Sequence, residues 1–100
     1  MDKVYIVRHL YHEHVPNECY ASDSIGKVFD SEEKAIQYIY DRIKVDHEYV
    51  DITTSDKKYY SKYDLNMDNI KMGEVVESYE YENDGFYKLV SYMYNPYDVE

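Results

Sequence analysis

Ile36, Ile39, Tyr40 and Ile43 stand at i, i+3, i+4 and i+7, a spacing that lines four apolar side chains along one stripe of a helix. The start of that helix is written just ahead of it. Asp30 or Ser31 can cap the free amides of the first turn, and Glu32 and Glu33 complement its positive end. Gln37, Asp41, Arg42 and Lys44 fall on the wet side. One stripe calls for one partner surface, and the flanking segments supply it as a sheet.

Lys3 to His12 reads as the first strand, with Val4, Ile6 and Leu10 on one face and Tyr5, Val7, His9 and Tyr11 on the other. Apolar residues on both faces place it centrally. His14 to Asp23 reads as a loop, marked by Pro16-Asn17 and Ser22-Asp23, and Ser24 to Phe29 as a short second strand in which Gly26 marks a bulge. After the helix, Val45 to Asp56 reads as loop. From Lys58 to Met67 alternation returns, Tyr59, Tyr63, Leu65 and Met67 against Tyr60, Lys62, Asp64 and Asn66, which predicts a strand, the period of two fitting better than the alternative of a helix. Gly73 then breaks a short connection. Glu74 to Glu82 and Phe86 to Tyr94 flank Asn83-Asp84-Gly85, a hairpin signal because Asp-Gly suits a turn that needs positive φ. A two-residue turn there sets Tyr81 opposite Lys88, Tyr79 opposite Val90 and Glu77 opposite Tyr92. The alternate face carries Glu80, Glu82, Tyr87, Leu89 and Met93.

The predicted fold is α+β, one domain over residues 1–100. Its sheet is mainly antiparallel, of four or five strands, with one helix packed on one face in the order β-β-α-β-β-β. The second face has no helix to cover it. It must be solvated, paired with another copy or bound to something else, and the tyrosine content favours contact.

Charge narrows the partner. The chain has 21 acidic and 11 basic side chains, a net of −10, and fifteen tyrosines. Both excesses peak in residues 74–100, where seven acids face one base, Lys88, among six tyrosines. Every phosphate of DNA, RNA or an anionic lipid would meet repulsion, so neither nucleic acid nor membrane is expected as a direct partner. No apolar run reaches the length of a membrane span, and Met1-Asp2-Lys3 does not open a secretory signal. Cys19, the single cysteine, cannot close an internal disulfide, which points to a reducing cytoplasm. Solubility alone accounts for the acidity of many small proteins and is the plain alternative to recognition.

Catalytic signals are thin. His9, His12 and His14, with Glu13 and Cys19 nearby, carry metal-ligand chemistry, but a structural zinc usually takes four ligands from paired short-spaced knuckles. The three glycines, at 26, 73 and 85, are isolated and build no phosphate-cradling loop. Cys19, Ser22 and Ser24 lie outside any recognisable nucleophile motif. The expectation is a non-enzyme with no cofactor and no metal. A small metal- or ligand-binding enzyme using the histidine segment is the weakest alternative.

Two resemblances bear on this. Val4-Tyr5-Ile6-Val7-Arg8-His9 resembles the opening strand of the histidine phosphatases, but Leu10 stands where that motif has glycine, so the match is rejected. The strand from Lys3 to His9 together with Phe29-Asp30-Ser31-Glu32-Glu33-Lys34-Ala35 resembles small uncharacterised proteins of phages and mobile elements, over about 45 residues. In class, a small acidic chain of this kind is similar to anti-defence factors, among them anti-CRISPR proteins that plug the basic nucleic-acid channel of an effector such as Cas9. That resemblance implies a stoichiometric inhibitor, a DNA mimic in effect, acting on a basic nucleic-acid-binding host protein. The expected contact residues are Glu77, Tyr79, Glu80, Tyr81, Glu82, Asp84, Tyr92 and Tyr94. Carboxylates would meet Lys and Arg, and phenol rings would supply buried area. The alternative is a homo-oligomeric adaptor, a homodimer in the simplest case, joined through the tyrosine face.

Overall fold

The computed structural model describes residues 2–53, 59–60, 66–83 and 86–99, apart from the side chains of 49–53, 59–60, 81–83 and 86. Strands β1 (Lys3–Val15) and β2 (Glu18–Phe29) form a hairpin, followed by helix α1 (Glu32–Thr53). The two-residue strand β3 (Tyr59–Tyr60), one turn of 3-10 helix at Met67–Asn69, and a second hairpin of β4 (Val76–Asn83) and β5 (Phe86–Asp98) complete it. The sheet runs β2-β1-β5-β4-β3 and every pairing is antiparallel. Four strands of eight or more residues with one helix on one face make the α+β fold that the sequence predicts.

The first hairpin is longer than its sequence suggests. Residues 14–23 are ladder, not loop: Val15 pairs with Glu18 across Pro16 and Asn17 alone. Proline followed by a residue at positive φ is what a tight turn requires, and Asn17 sits at φ 81. The polar Ser22 and Asp23 were misleading because they belong to an edge strand, where polarity is tolerated. Gly26 does mark a bulge. Val7 pairs with Lys27 and Arg8 with Ile25, leaving Gly26 unpaired beneath the Tyr38 ring of α1.

Ser31 is the cap of α1, its Oγ accepting from Lys34 N at 3.2 Å. Lys34 also pairs with Asp30 at 2.9 Å, which holds the Asp30 carboxyl below its usual range. Ala35, Ile39 and Ile43 form the buried line of the helix, with Ile36, Tyr38 and Tyr40 packed against it. The stripe predicts the helix through Ile43, but α1 continues to Thr53. Asp46 and His47 occupy the next positions on the same side and dock the added turns through polar bonds that apolar periodicity cannot register.

Between α1 and β4, only Tyr59 and Tyr60 of the predicted strand 58–67 are described as strand, paired with Tyr81 and Glu80. Met67 belongs to the 3-10 turn, capped by Asn66, whose side chain accepts from Asp68 N at 2.9 Å. Gly73, at φ 77, lets the chain turn back so that its amide reaches the Tyr94 carbonyl at 2.9 Å. Among the described residues the apolar core lies on the α1 side of the sheet: Val7, Val90, Tyr79, Tyr92 and Tyr94 from the strands, Ala35, Ile39 and Ile43 from the helix, and Ile70 from the connection.

Candidate interaction surface

Asp46 fixes which face of the sheet is closed. Its Oδ2 accepts from Tyr92 OH at 2.7 Å and from Ser78 Oγ at 2.8 Å, and Arg42 approaches Oδ1 at 4.0 Å. His47 Nε2 donates to the Ser78 carbonyl oxygen at 2.6 Å. The ring of His9 stacks on Tyr92 at 4.9 Å, and its buried Nε2 has no hydrogen-bond partner among the described residues. Burial keeps His9 below its ordinary pKa, against the pull of Asp46 and with some help from Arg42 and Lys88. Burial first, then the bond to the Asp46 carboxylate, pushes the Tyr92 phenol up, and Tyr94, bonded to Glu32 at 2.8 Å, rises for the same reasons. Asp46, Ser78, Tyr92 and His47 bond to one another across the helix–sheet boundary, so this polar clamp serves to hold the helix.

No described element covers the opposite face, and ladder register gives its layout. Across β2, β1, β5 and β4, one rank reads Ala21, His12, Leu89, Glu80; the next reads Asp23, Leu10, Ser91, Glu77; then come Ile25, Arg8, Met93 and, beyond them, Val28, Ile6, Asn95. In the middle strands Leu10, Leu89, Met93 and Ile6 alternate with His12, Ser91, Arg8 and Asn95, and Glu77 and Glu80 form the β4 margin. Small residues at Ala21 and Ser91 leave a shallow depression of about 380 Å³ between Leu10, Leu89 and Val75, with Asp23 on its rim. Arg8 pairs with Asp23 at 3.5 Å. Glu77 and Glu80 enter no ion pair among the described residues. Lys88, the base of the neighbouring strand β5, lies on the helix side, over the rings of Tyr11 and Tyr79 at 5.2 and 5.7 Å.

The predicted contact residues divide. Tyr79, Tyr92 and Tyr94 were expected on an accessible patch and are instead buried, at 8%, 2% and 1% exposure. The correction has a simple cause: the chain has few aliphatic residues for its core, and these phenols are large enough to replace them, with Asp46 and Glu32 there to take the hydroxyls. Tyr79 pairs with Val90 and Tyr81 with Lys88 as the turn predicts, and Glu82 with Tyr87. Glu77 does not face Tyr92. A register shift between Glu77 and Tyr79 leaves Ser78 out of step and sets Glu77 opposite Ser91. Glu77 thereby joins Glu80 on the uncovered face. The side chains of Tyr81 and Glu82, and all of Asp84, lie outside the described residues.

The histidine segment is split by the same alternation. His9 goes under the helix, while His12 and His14 go to the uncovered face, His12 edge-on to Tyr87 at 5.9 Å and His14 Nδ1 2.6 Å from Cys19 Sγ. Among the described residues no three of His, Cys, Asp and Glu converge as a metal site requires. No described helix is long and apolar enough to cross a membrane. Sequence reasoning passed over Asp46 and Ser78; the available signal was Asp46 standing at i+3 from Ile43, on the stripe itself. It likewise passed over Leu10 and Ser91 as parts of a surface, which only cross-strand register reveals. No family model, curated protein or solved structure matches this chain.

Proposed function

We propose that this protein is a non-catalytic binding protein whose uncovered sheet face engages a cationic surface of another protein. One observation carries the reading: the β4 register shift brings Glu77 to the face where Glu80 already stands next to Leu89, with Leu10 and Met93 further in, and no described element covers that face. A partly apolar middle, in which Arg8 is held by Asp23, with an acidic margin suits a partner surface of Lys and Arg around aliphatic side chains, because the acids steer approach and the apolar groups are desolvated on contact. A net charge of −10 supports a basic partner. A nucleic-acid-handling protein fits that chemistry, since it neutralises phosphates with clustered Lys and Arg. The anti-defence reading, with inhibition of a CRISPR effector such as Cas9, is the specific case that the sequence resemblance adds. The contact set passes from the buried phenols to Glu77, Glu80, Leu10, Leu89 and Met93.

The test is capture of a host partner by the immobilised protein at low and high salt, repeated with Glu77→Lys/Glu80→Lys. Both substitutions sit on the uncovered face and leave the core alone. Two reversed charges at about 1–2 kcal/mol each should weaken binding by roughly a hundred-fold, and high salt should do much the same. A basic partner held equally well by the reversed variant would refute the assignment of this face.

A further inference from the structure

We infer that two copies of this chain join edge to edge through β2, making one continuous antiparallel sheet about a two-fold axis at Ser22. The inference stands apart from the proposed partner and rests on the other end of the sheet. The two sheet edges are unequal. On one side the sheet ends in the two-residue β3, and on the other in β2, twelve residues long. Long edges are usually blunted by proline, by charges, by bulges or by a covering segment, and the β2 bulge at Gly26 still leaves Glu18 to Ile25 in regular step. β2 has no proline, and it exposes Tyr20, Ile25 and Val28 at 59%, 66% and 51%.

The backbone groups that β2 leaves unpaired among the described residues can be assigned. A two-residue hairpin turn is closed by a hydrogen-bonded pair, here Val15 and Glu18, so Glu18, Tyr20, Ser22 and Ser24 bond inward to β1. Cys19, Ala21, Asp23 and Ile25 therefore turn their amides and carbonyls outward. A second copy can pair with them only in registers that match outward residues with outward residues and keep side chains on a common face. A centre at Asp23 would set the two Asp23 carboxylates against each other. A centre at Ser22 sets Ala21 opposite Asp23, Cys19 opposite Ile25 and Tyr20 opposite Ser24.

The bulge then decides for this register. Because Gly26 drops out of the ladder, the position after Ile25 is Lys27, and it falls opposite Glu18 of the second copy. Both side chains lie on the helix side, where Lys27 Nζ is held 5.9 Å above the Tyr38 ring. The two-fold axis makes this pair twice. An edge that is long, partly apolar and self-complementary in charge fits a second copy of itself better than an arbitrary strand. The joined sheet would carry both acidic margins on one side.

Sedimentation velocity over a dilution series should show a reversible monomer–dimer equilibrium. Lys27→Glu should weaken it roughly ten-fold or more, since two pairs each become repulsive, and Glu18→Lys/Lys27→Glu should restore it. Circular dichroism checks that each variant is folded. Register is read independently with cysteines in a Cys19→Ala background. Ser22→Cys should oxidise to a disulfide-linked dimer, because it meets itself at the axis, whereas Ser24→Cys, facing Tyr20, should not. A wild-type chain that stays monomeric at every concentration overturns the inference. So does a dimer indifferent to Lys27→Glu, or equal cross-linking at 22 and 24.

Discussion

Asp46→Ala is the most informative single change, because one carboxylate oxygen holds two hydroxyls that cannot reach water. Tyr92 is 2% exposed and Ser78 1%, and both donate to Asp46 Oδ2, at 2.7 and 2.8 Å. Removing the acceptor leaves two buried donors unmatched at about 1–3 kcal/mol each, against roughly 0.5 kcal/mol regained from alanine's helix preference. The expected net loss is about 3 kcal/mol, a large share of the roughly 5–15 kcal/mol that holds a small domain together. Asp46→Asn keeps an acceptor and should cost about 1 kcal/mol. Tyr92→Phe should cost about 1–2 kcal/mol, and with Asp46→Ala it should show coupling of similar size. Urea unfolding followed by far-ultraviolet circular dichroism measures all four. Asp41→Ala is the control: Asp41 sits on the exposed side of α1, bonded to Gln37 at 2.9 Å. If Asp46→Ala costs no more than Asp41→Ala, the clamp contributes nothing and α1 is held by its apolar stripe alone.

Three further outcomes follow from the same geometry. His9 titrates lower when folded than its ordinary value of 6.5, so acid protonates the unfolded chain first; stability should fall as pH drops below about 6.5, by at most about 1.4 kcal/mol per pH unit from this group, and His9→Phe should flatten that part of the profile in denaturation series at pH 7.5 and 5. Burial and the adjacent Glu13 carboxylate push Tyr11 up to about 12 from 10.0, so its contribution is complete below pH 10 and lost between 10 and 12; a phenolate absorbance titration of wild type against Tyr11→Phe should show the missing group ionising late. Ser31→Ala should cost about 1 kcal/mol by loss of the cap to Lys34 N, read as a lower urea midpoint with unchanged slope.

How far the sequence carries the fold depends on where a segment's partners lie. The first turns of α1 were legible because cap, dipole and stripe are all local to Asp30–Ile43. The last turns were not, because Asp46 and His47 are held by Ser78 and Tyr92, some thirty to forty-six positions away. Gly26 betrayed its bulge by composition. The Ser78 irregularity has no glycine to announce it, and so the β4–β5 register was predicted correctly from the turn as far as Tyr79 and one residue out beyond it. The tyrosines were the hardest to place. Their rings suit a core and their hydroxyls a surface, and the decision fell to acceptors on α1 that alternation along a strand does not show. The uncovered face and its acidic margin were foreseeable in kind, from one helix and one charge excess, but not in membership.

Burial of the rings and gathering of the acids are a single event. Held in regular step, Ser78 would turn to the uncovered face and Glu77 would stand opposite Tyr92, beneath α1. Tyr92 already gives its hydroxyl to Asp46, so a second carboxylate would enter a polar pocket that has Arg42 as its neighbouring cation. Like charges in a desolvated site are costly, and one of the two acids would have to take up a proton. Dropping Ser78 out of the ladder removes that conflict. It sends Glu77 outward to join Glu80, brings Val76 against the core, and aims the serine hydroxyl at the acid that needs a donor. The place of Glu77 on the acidic margin therefore arises from the same local irregularity that gives Asp46 its serine donor beneath the helix.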